Sequence, residues 1–162
     1  MVDPELSTVK YSENPRLNHP RLNRKMSRIS WDKYALNIAE SAAERSEDPY
    51  RKVGACALNS QNMVVGVGYN GLASGVSMPY KNFWENRDYR RKFMIHAEAN
   101  CLSLCKKGEV KLLAVTLLPC SSCATMVAAY GIEEVYYKDT YERDEQSKEI
   151  FSWYNIKLVR LD

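Results

Sequence analysis

Histidine is scarce in this chain, with two residues, His19 and His96, among 162. Long apolar runs are missing as well: none approaches the roughly 18–20 residues that a membrane-spanning helix needs, so a soluble protein is expected. The opening MVDPELSTVK puts acid and proline where a secretory signal has a basic end and an apolar stretch, and a cytoplasmic protein is expected. Five cysteines are an odd number without framework spacing, which disfavours a disulfide scaffold and favours metal or free-thiol use. A charge bias in the body of the chain is missing too. Residues 1–30 carry six basic and three acidic side chains, and the rest carries 17 of each, although the net charge is +3. Proteins that grip long nucleic acids rely on phosphate neutralisation and show a basic excess, so a small substrate is expected, with no long nucleic acid and no membrane as partner.

What is present fits one domain: 45% hydrophobic and 27% charged residues are ordinary globular values, and the length suffices for a sizeable core. Residues 1–30 hold three of the six prolines and the repeat PRLN at 15–18 and 20–23, without apolar periodicity. They read as an N-terminal arm, with 31–162 as the domain, and His19 in that arm has no partner at ligand spacing. From Trp31 the residues Trp31, Tyr34, Ala35, Ile38, Ala39 and Ala42 fall on one helical face behind Ser30 as cap, predicting a helix over 31–45. VGACAL and MVVGVGY, separated by NSQN, read as a hairpin, and 71 to about 88 as a long irregular stretch. A helix is predicted over 96–106, a buried strand at KLLAVTLL, and a helix through CATMVAAY that stops at Gly131. A strand (133–137), a helix (about 142–154) and a strand (155–160) follow. Strands alternating with helices predict an α/β domain with helices on both faces of a five-stranded mixed sheet, its last two strands parallel because a helix joins them.

Two short stretches carry the chemistry: HAEAN (96–100) and PCSSC (119–123). A catalytic zinc takes three protein ligands and keeps one position open, whereas a structural zinc takes four. Cys120 and Cys123 lie three apart at a helix start, where the dipole favours thiolates, and His96 adds a third ligand from the start of another helix. Glu98, two residues on, is placed to shuttle protons for a water that zinc activates. The bland alternatives are a helix-start histidine beside a redox pair, or part of a structural zinc site needing a fourth ligand. Cys101 and Cys105 are the rivals for that ligand, and they and Cys56 read as small core hydrophobes. The pattern H-x-E … P-C-x-x-C is an established signature of zinc nucleobase deaminases.

With RSEDP (45–49), VGA (53–55), GYNG (68–71), YGIEEVYY (130–137) and TY (140–141), those motifs make the chain from about residue 31 resemble the deoxycytidylate deaminases of the cytidine deaminase superfamily. The resemblance implies a three-layer α/β/α cytidine deaminase-like fold, one catalytic Zn2+ held by His96, Cys120 and Cys123, Glu98 as the proton shuttle, hydrolysis of dCMP to dUMP and ammonia, and a homo-oligomer, a hexamer being favoured. It also implies Asn70 and Ala97 as substrate contacts, although Asn-Gly is equally a common turn dipeptide. For the phosphate, similarity and charge nominate Ser46, Arg51, Lys52, Tyr141 and Arg143. Family members are activated by dCTP and inhibited by dTTP with Mg2+, which nominates Gly71, Gly75 and Lys107; here the usual NGxPxG reads NGLASG, with Ala73 replacing proline. The segment PYKNFWENRDYRRKF (79–93) interleaves aromatics with basic residues and reads as an oligomer contact or a lid near the nucleotide. It lacks the Cys and His residues with which relatives bind a second zinc. The rival readings are a tRNA adenosine deaminase, which would show a basic RNA face; a free cytidine deaminase, whose sheet ends in an antiparallel hairpin; and a zinc-stabilised binding module without turnover.

Overall fold

A computed structural model describes residues 27–75, 82–140 and 146–162 of the chain. The N-terminal arm expected over 1–30 lies largely outside them, as do Tyr141 and Arg143. The elements in chain order are α1 (Trp31–Ala43), β1 (Gly54–Leu58), β2 (Val64–Tyr69), α2 (Arg87–Phe93), α3 (Ala97–Leu102), β3 (Leu112–Leu117), α4 (Ser121–Ala129), β4 (Glu134–Asp139), α5 (Gln146–Trp153) and β5 (Lys157–Arg160). One sheet of strand order β2-β1-β3-β4-β5 joins them. β1 is antiparallel to both β2 and β3, whereas β3, β4 and β5 run parallel, as crossovers through α4 and α5 require.

Period-two alternation assigns each strand residue to a face. Cys56 and Leu58 of β1, Leu112 and Ala114 of β3 and Tyr136 of β4 pack with Ala35, Leu36 and Ala39 of α1. Ala55 and Ala57, Leu113 and Val115, and Val135 and Tyr137 turn the other way, where they meet residues of α3, α4 and α5 such as Leu102, Val127 and Phe151. The result is three layers, with α1 covering one face and α3, α4 and α5 the other.

Helix α1 lies where the sequence predicts it, but its inner face is rotated. Leu36 and Ala43 are buried beside Ala35 and Ala39, while Trp31 and Tyr34 are exposed and meet edge-on at 5.6 Å. The cause is how closely α1 approaches β1: a Cβ added to Gly54 would stand 1.8 Å from the Ala39 carbonyl oxygen and 2.7 Å from the Ala43 nitrogen. Only a small-residue stripe fits over that glycine, so the helix turns Ala39 and Ala43 inward and the rings outward. Ser30 occupies the N-cap position, yet its hydroxyl makes no cap hydrogen bond.

Two further differences concern helix ends. The predicted 96–106 helix stops at Leu102, because Ser103 Oγ donates to the Asn100 carbonyl (2.8 Å) and the Lys106 N–H donates to Glu109 Oε2 (2.8 Å), giving the chain local partners that compete with the helix ladder. Where the stretch read as irregular ends, α2 begins: Asn86 is its N-cap, accepting from the Tyr89 N–H, with Asp88 in the first turn and Arg90, Arg91 and Lys92 in the last.

Gly54→Ala should destabilise the protein by about 3 kcal/mol, the upper end of ordinary overpacking, because the clash is with backbone rather than a movable side chain. A thermal melt should show Tm lower by roughly 5–10 °C, and an unchanged melt would show that α1 can move away at little cost.

Candidate functional site

Strand β3 runs through Leu118 and Pro119 into Cys120, the N-cap of α4. β2 is followed by Gly71, which exchanges two backbone hydrogen bonds with Ile95 (3.0 and 2.8 Å), and Ile95 precedes His96, the N-cap of α3. Both caps have the extended backbone usual at an N-cap, and neither side chain bonds its own helix. The imidazole and thiol turn toward each other instead. His96 Nδ1 stands 3.5 Å from Cys120 Sγ and 3.3 Å from Cys123 Sγ, and the three potential ligand atoms lie within 4.8 Å of one another.

The electrostatics of this cluster follow from its contacts. The hydrogen bond from Cys123, helped by His96, pulls the Cys120 thiol well below the usual thiol range. Cys123 is pushed up, because it is the proton donor of that pair and is buried. The Cys120 contact raises His96 against the opposing effect of burial. Glu98, 4% exposed, is held above the usual carboxylate range mainly by desolvation. Cys56 and Cys101 are buried, their thiols raised by desolvation, and neither they nor Cys105 joins the cluster, so among the described residues it has three members.

A cavity of about 720 Å³ opens over the cluster. His96, Ala97, Glu98 and Cys120 line it together with Arg51 and Asn70 from the other side of the sequence. Asn70 holds the loop between α1 and β1 in shape: its Oδ1 accepts from the Val53 N–H (2.8 Å), and its Nδ2 donates to the Arg51 carbonyl (2.8 Å) and to Asp48 Oδ2 (3.4 Å). Ser46 serves the same loop. It is 3% exposed, donates to the Asn70 carbonyl (2.8 Å), accepts from the Asp48 N–H (3.2 Å) and does not line the cavity. Lys52 also stands off the cavity, with its Nζ toward the Glu44 carbonyl (3.4 Å). Arg51 lines it while pairing with Asp139 at 3.3 Å.

The residues nominated for regulation are separate. Gly71 is buried in the bridge to Ile95, Gly75 is exposed with φ of 81°, and Lys107 lies exposed in the turn after α3 rather than on that helix. The segment read as an oligomer contact or a lid near the nucleotide supplies α2, and the sequence reading did not name the residues it brings to the cavity, Arg87, Arg90 and Arg91. The available signal was the Asn86 cap followed by arginines at i, i+3 and i+4, which share one helical face.

Comparison with known proteins places these features in a wider set. A family model described as the cytidine and deoxycytidylate deaminase zinc-binding region matches residues 29–139. The deoxycytidylate deaminases of Mus musculus and Homo sapiens are each 36% identical to this chain over 126 residues, covering 74% of it and 71% of their own length. Among solved structures, the apo dCMP deaminase of cyanophage S-TIM5 superposes with a TM-score of 0.66 at 22% identity, covering 83% of this chain and all of that one.

Replacing Asn70 by Ala removes three hydrogen bonds and strands the Val53 N–H, which should lower stability by about 2–3 kcal/mol in a denaturant titration. Asn70→Asp keeps the acceptor for Val53 but sets a carboxylate oxygen against the Arg51 carbonyl and the Asp48 carboxylate, and should be no more stable than Ala. Equal stability of all three proteins would show that the loop holds its shape without this amide.

Proposed function

The chain belongs to the cytidine and deoxycytidylate deaminase family, and from that premise we propose that it hydrolyses dCMP to dUMP and ammonia within one catalytic domain spanning residues 31–162. One observation carries the reading: the ligand atoms of His96, Cys120 and Cys123 lie within 4.8 Å of one another, beside a cavity that His96, Cys120 and the buried acid Glu98 line. Two thiols and an imidazole are the donor set that Zn2+ favours, and three protein ligands match a catalytic rather than a structural site. Zinc, when bound, supplies the Lewis acidity that makes water a nucleophile near neutral pH.

The chain's own residues do the rest. Glu98, desolvated and therefore ready to hold a proton, takes one from the attacking water and passes it to N3 of the cytosine ring as C4 gains oxygen. The second water proton reaches the C4 amino group by the same carboxyl, the C–N bond breaks, ammonia leaves, and C4 becomes the carbonyl of dUMP. Ala97, 1% exposed between ligand and acid, lines the cavity against the pyrimidine. Asn70 is a positioning residue: it shapes the loop that carries Arg51 to the nucleotide. Ser46 acts with it from beneath that loop, while Lys52, Tyr141 and Arg143 complete the phosphate candidates.

The same reading extends to regulation and assembly. dCTP as activator and dTTP with Mg2+ as inhibitor would act at the segment of Gly71 and Gly75 and at Lys107, in a homo-oligomer favoured as a hexamer. Exposed aromatic residues such as Trp153, 80% accessible, and Tyr154, 60% accessible, support such contacts. Among the described residues no helix is long and apolar enough to cross a membrane, and a cytoplasmic location suits both free thiols and nucleotide chemistry.

The zinc-loaded protein should convert dCMP to dUMP, followed as loss of cytosine absorbance and release of ammonia. Glu98→Gln should retain zinc by elemental analysis while turnover falls by about 10²- to 10⁴-fold, the usual worth of a general acid–base group. Cys120→Ala should reduce the bound zinc itself. Turnover of a tRNA anticodon adenosine with none on dCMP would overturn the substrate assignment.

A further inference from the structure

His96 is exposed, so packing alone does not hold its imidazole, and where Nδ1 stands depends on where the backbone of α3 stands. That helix is six residues long, too short to be stable by itself. It lies on β2 over Gly66 and Gly68, and two glycines offer no side chains that interlock with the helix and stop it from sliding along the strand. Hydrogen bonds have to fix the register instead. On one side of His96 the bridge between Ile95 and Gly71 does so. On the other side the tie is Asn100, whose Nδ2 donates to the Tyr69 carbonyl at 2.8 Å. β2 is an edge strand, so alternate carbonyls face away from β1 and need partners outside the sheet. The Asn100 amide serves Tyr69, and Cys105 Sγ, beyond the end of α3, makes a longer contact of 3.6 Å to the Val65 carbonyl.

Asn100 is coupled directly to the ligand. Its N–H donates to the His96 carbonyl at 3.1 Å, so the two residues stand one helical turn apart and move together, with Glu98 in the turn between them. Asn100 itself does not line the cavity. We infer that Asn100 is a positioning residue for metal binding: by holding the Tyr69 carbonyl it sets the register of α3 along β2, and with it the place of the His96 imidazole relative to the sulfurs of Cys120 and Cys123. The same bond ties both halves of the site to one short segment, because residues 69–71 accept from Asn100, carry Asn70 to the cavity and bridge to Ile95. The inference rests on the reading of His96, Cys120 and Cys123 as a zinc site and not on the identity of the substrate.

Competition with a chromophoric chelator measures the zinc affinity of the full chain, and the Co2+-loaded protein reports ligand geometry through its visible absorption bands. Asn100→Ala should bind zinc about tenfold more weakly than wild type, as loss of a group that orients a metal ligand does. Asn100→Asp should be at least as weak, since it sets a carboxylate oxygen against the Tyr69 carbonyl. Asn100→Gln keeps the donor on a longer stem, so it should displace the helix rather than release it, shifting the Co2+ bands with a smaller loss of affinity. Cys105→Ala removes the other edge contact away from the ligand. It should lower the denaturation midpoint while zinc affinity and Co2+ bands stay those of wild type. Asn100 variants that lose stability but keep wild-type zinc affinity and Co2+ bands overturn the assignment, and so does a Cys105→Ala protein that loses zinc as readily as Asn100→Ala. Absence of zinc binding in wild type overturns it together with the zinc reading. A protein that holds zinc in an Asn100-dependent way and leaves dCMP intact refutes the substrate and supports the register. One that deaminates dCMP while Asn100→Ala keeps full zinc affinity does the reverse.

Discussion

Two helix starts have to meet. His96 begins α3 and Cys120 begins α4, and the site exists only because their side chains converge within hydrogen-bonding distance from elements that follow different strands. Placing α4 is straightforward, since β3 feeds it directly. Placing α3 depends on how near it can come to β2. A Cβ on Gly68 would stand 2.4 Å from the Cys101 nitrogen and 2.7 Å from the Ala97 carbonyl oxygen, and one on Gly66 would stand 2.6 Å from the Cys101 carbonyl oxygen. The helix lies on bare backbone, and any side chain at Gly68 would lift its first turn, and His96 with it. Tight packing transmits such displacements instead of absorbing them.

The sheet is used in a similar way on both faces. Gly54 admits α1 on one side, and Gly66 and Gly68 admit α3 on the other, so the antiparallel half of the sheet is pinched between two closely applied helices. The parallel half, β3 to β5, carries larger side chains, among them Leu113, Val115 and Val135, under α4 and α5. Chemistry is gathered where the two halves adjoin. One ligand comes from the start of α3, two come from the start of α4 just after β3, and the loop before β1 closes the cavity through Asp48 and Arg51.

The order of the strands and the parallel end of the sheet were legible because they rest on local signals: period-two runs, Gly131 at positive φ behind α4, and a helix joining the last strands. HAEAN and PCSSC were legible because ligand spacing is a local property too. The inner face of α1 was not, since the choice between Trp31 and Leu36 is made by Gly54, far away in sequence. Ser46 could be nominated for a phosphate because it stands beside Arg51 and Lys52 in sequence, but only the fold shows its hydroxyl turned inward to the Asn70 carbonyl. The arginines of 87–91 were legible as charge, whereas the cap that winds them into a helix and aims them at the cavity emerges only with Asn86 and Tyr89 in place.

These features share an energetic logic. The site collects groups that are poorly compensated by the protein alone: a desolvated carboxyl at Glu98, two adjoining sulfurs beside an imidazole, and an arginine with a buried unpaired N–H. Burial costs each of them hydration, and Arg90 Nε has no hydrogen-bond partner to offset it. A metal and an anionic ligand that bind the folded chain and not the unfolded one return that free energy by linkage. Rigid packing around Gly54, Gly66 and Gly68 is what allows the strain to persist between turnovers, for a looser sheet would let the sulfurs, the acid and the arginines drift apart toward water. The same closeness that makes the core intolerant of a single methyl group holds unfavourable neighbours at working distance.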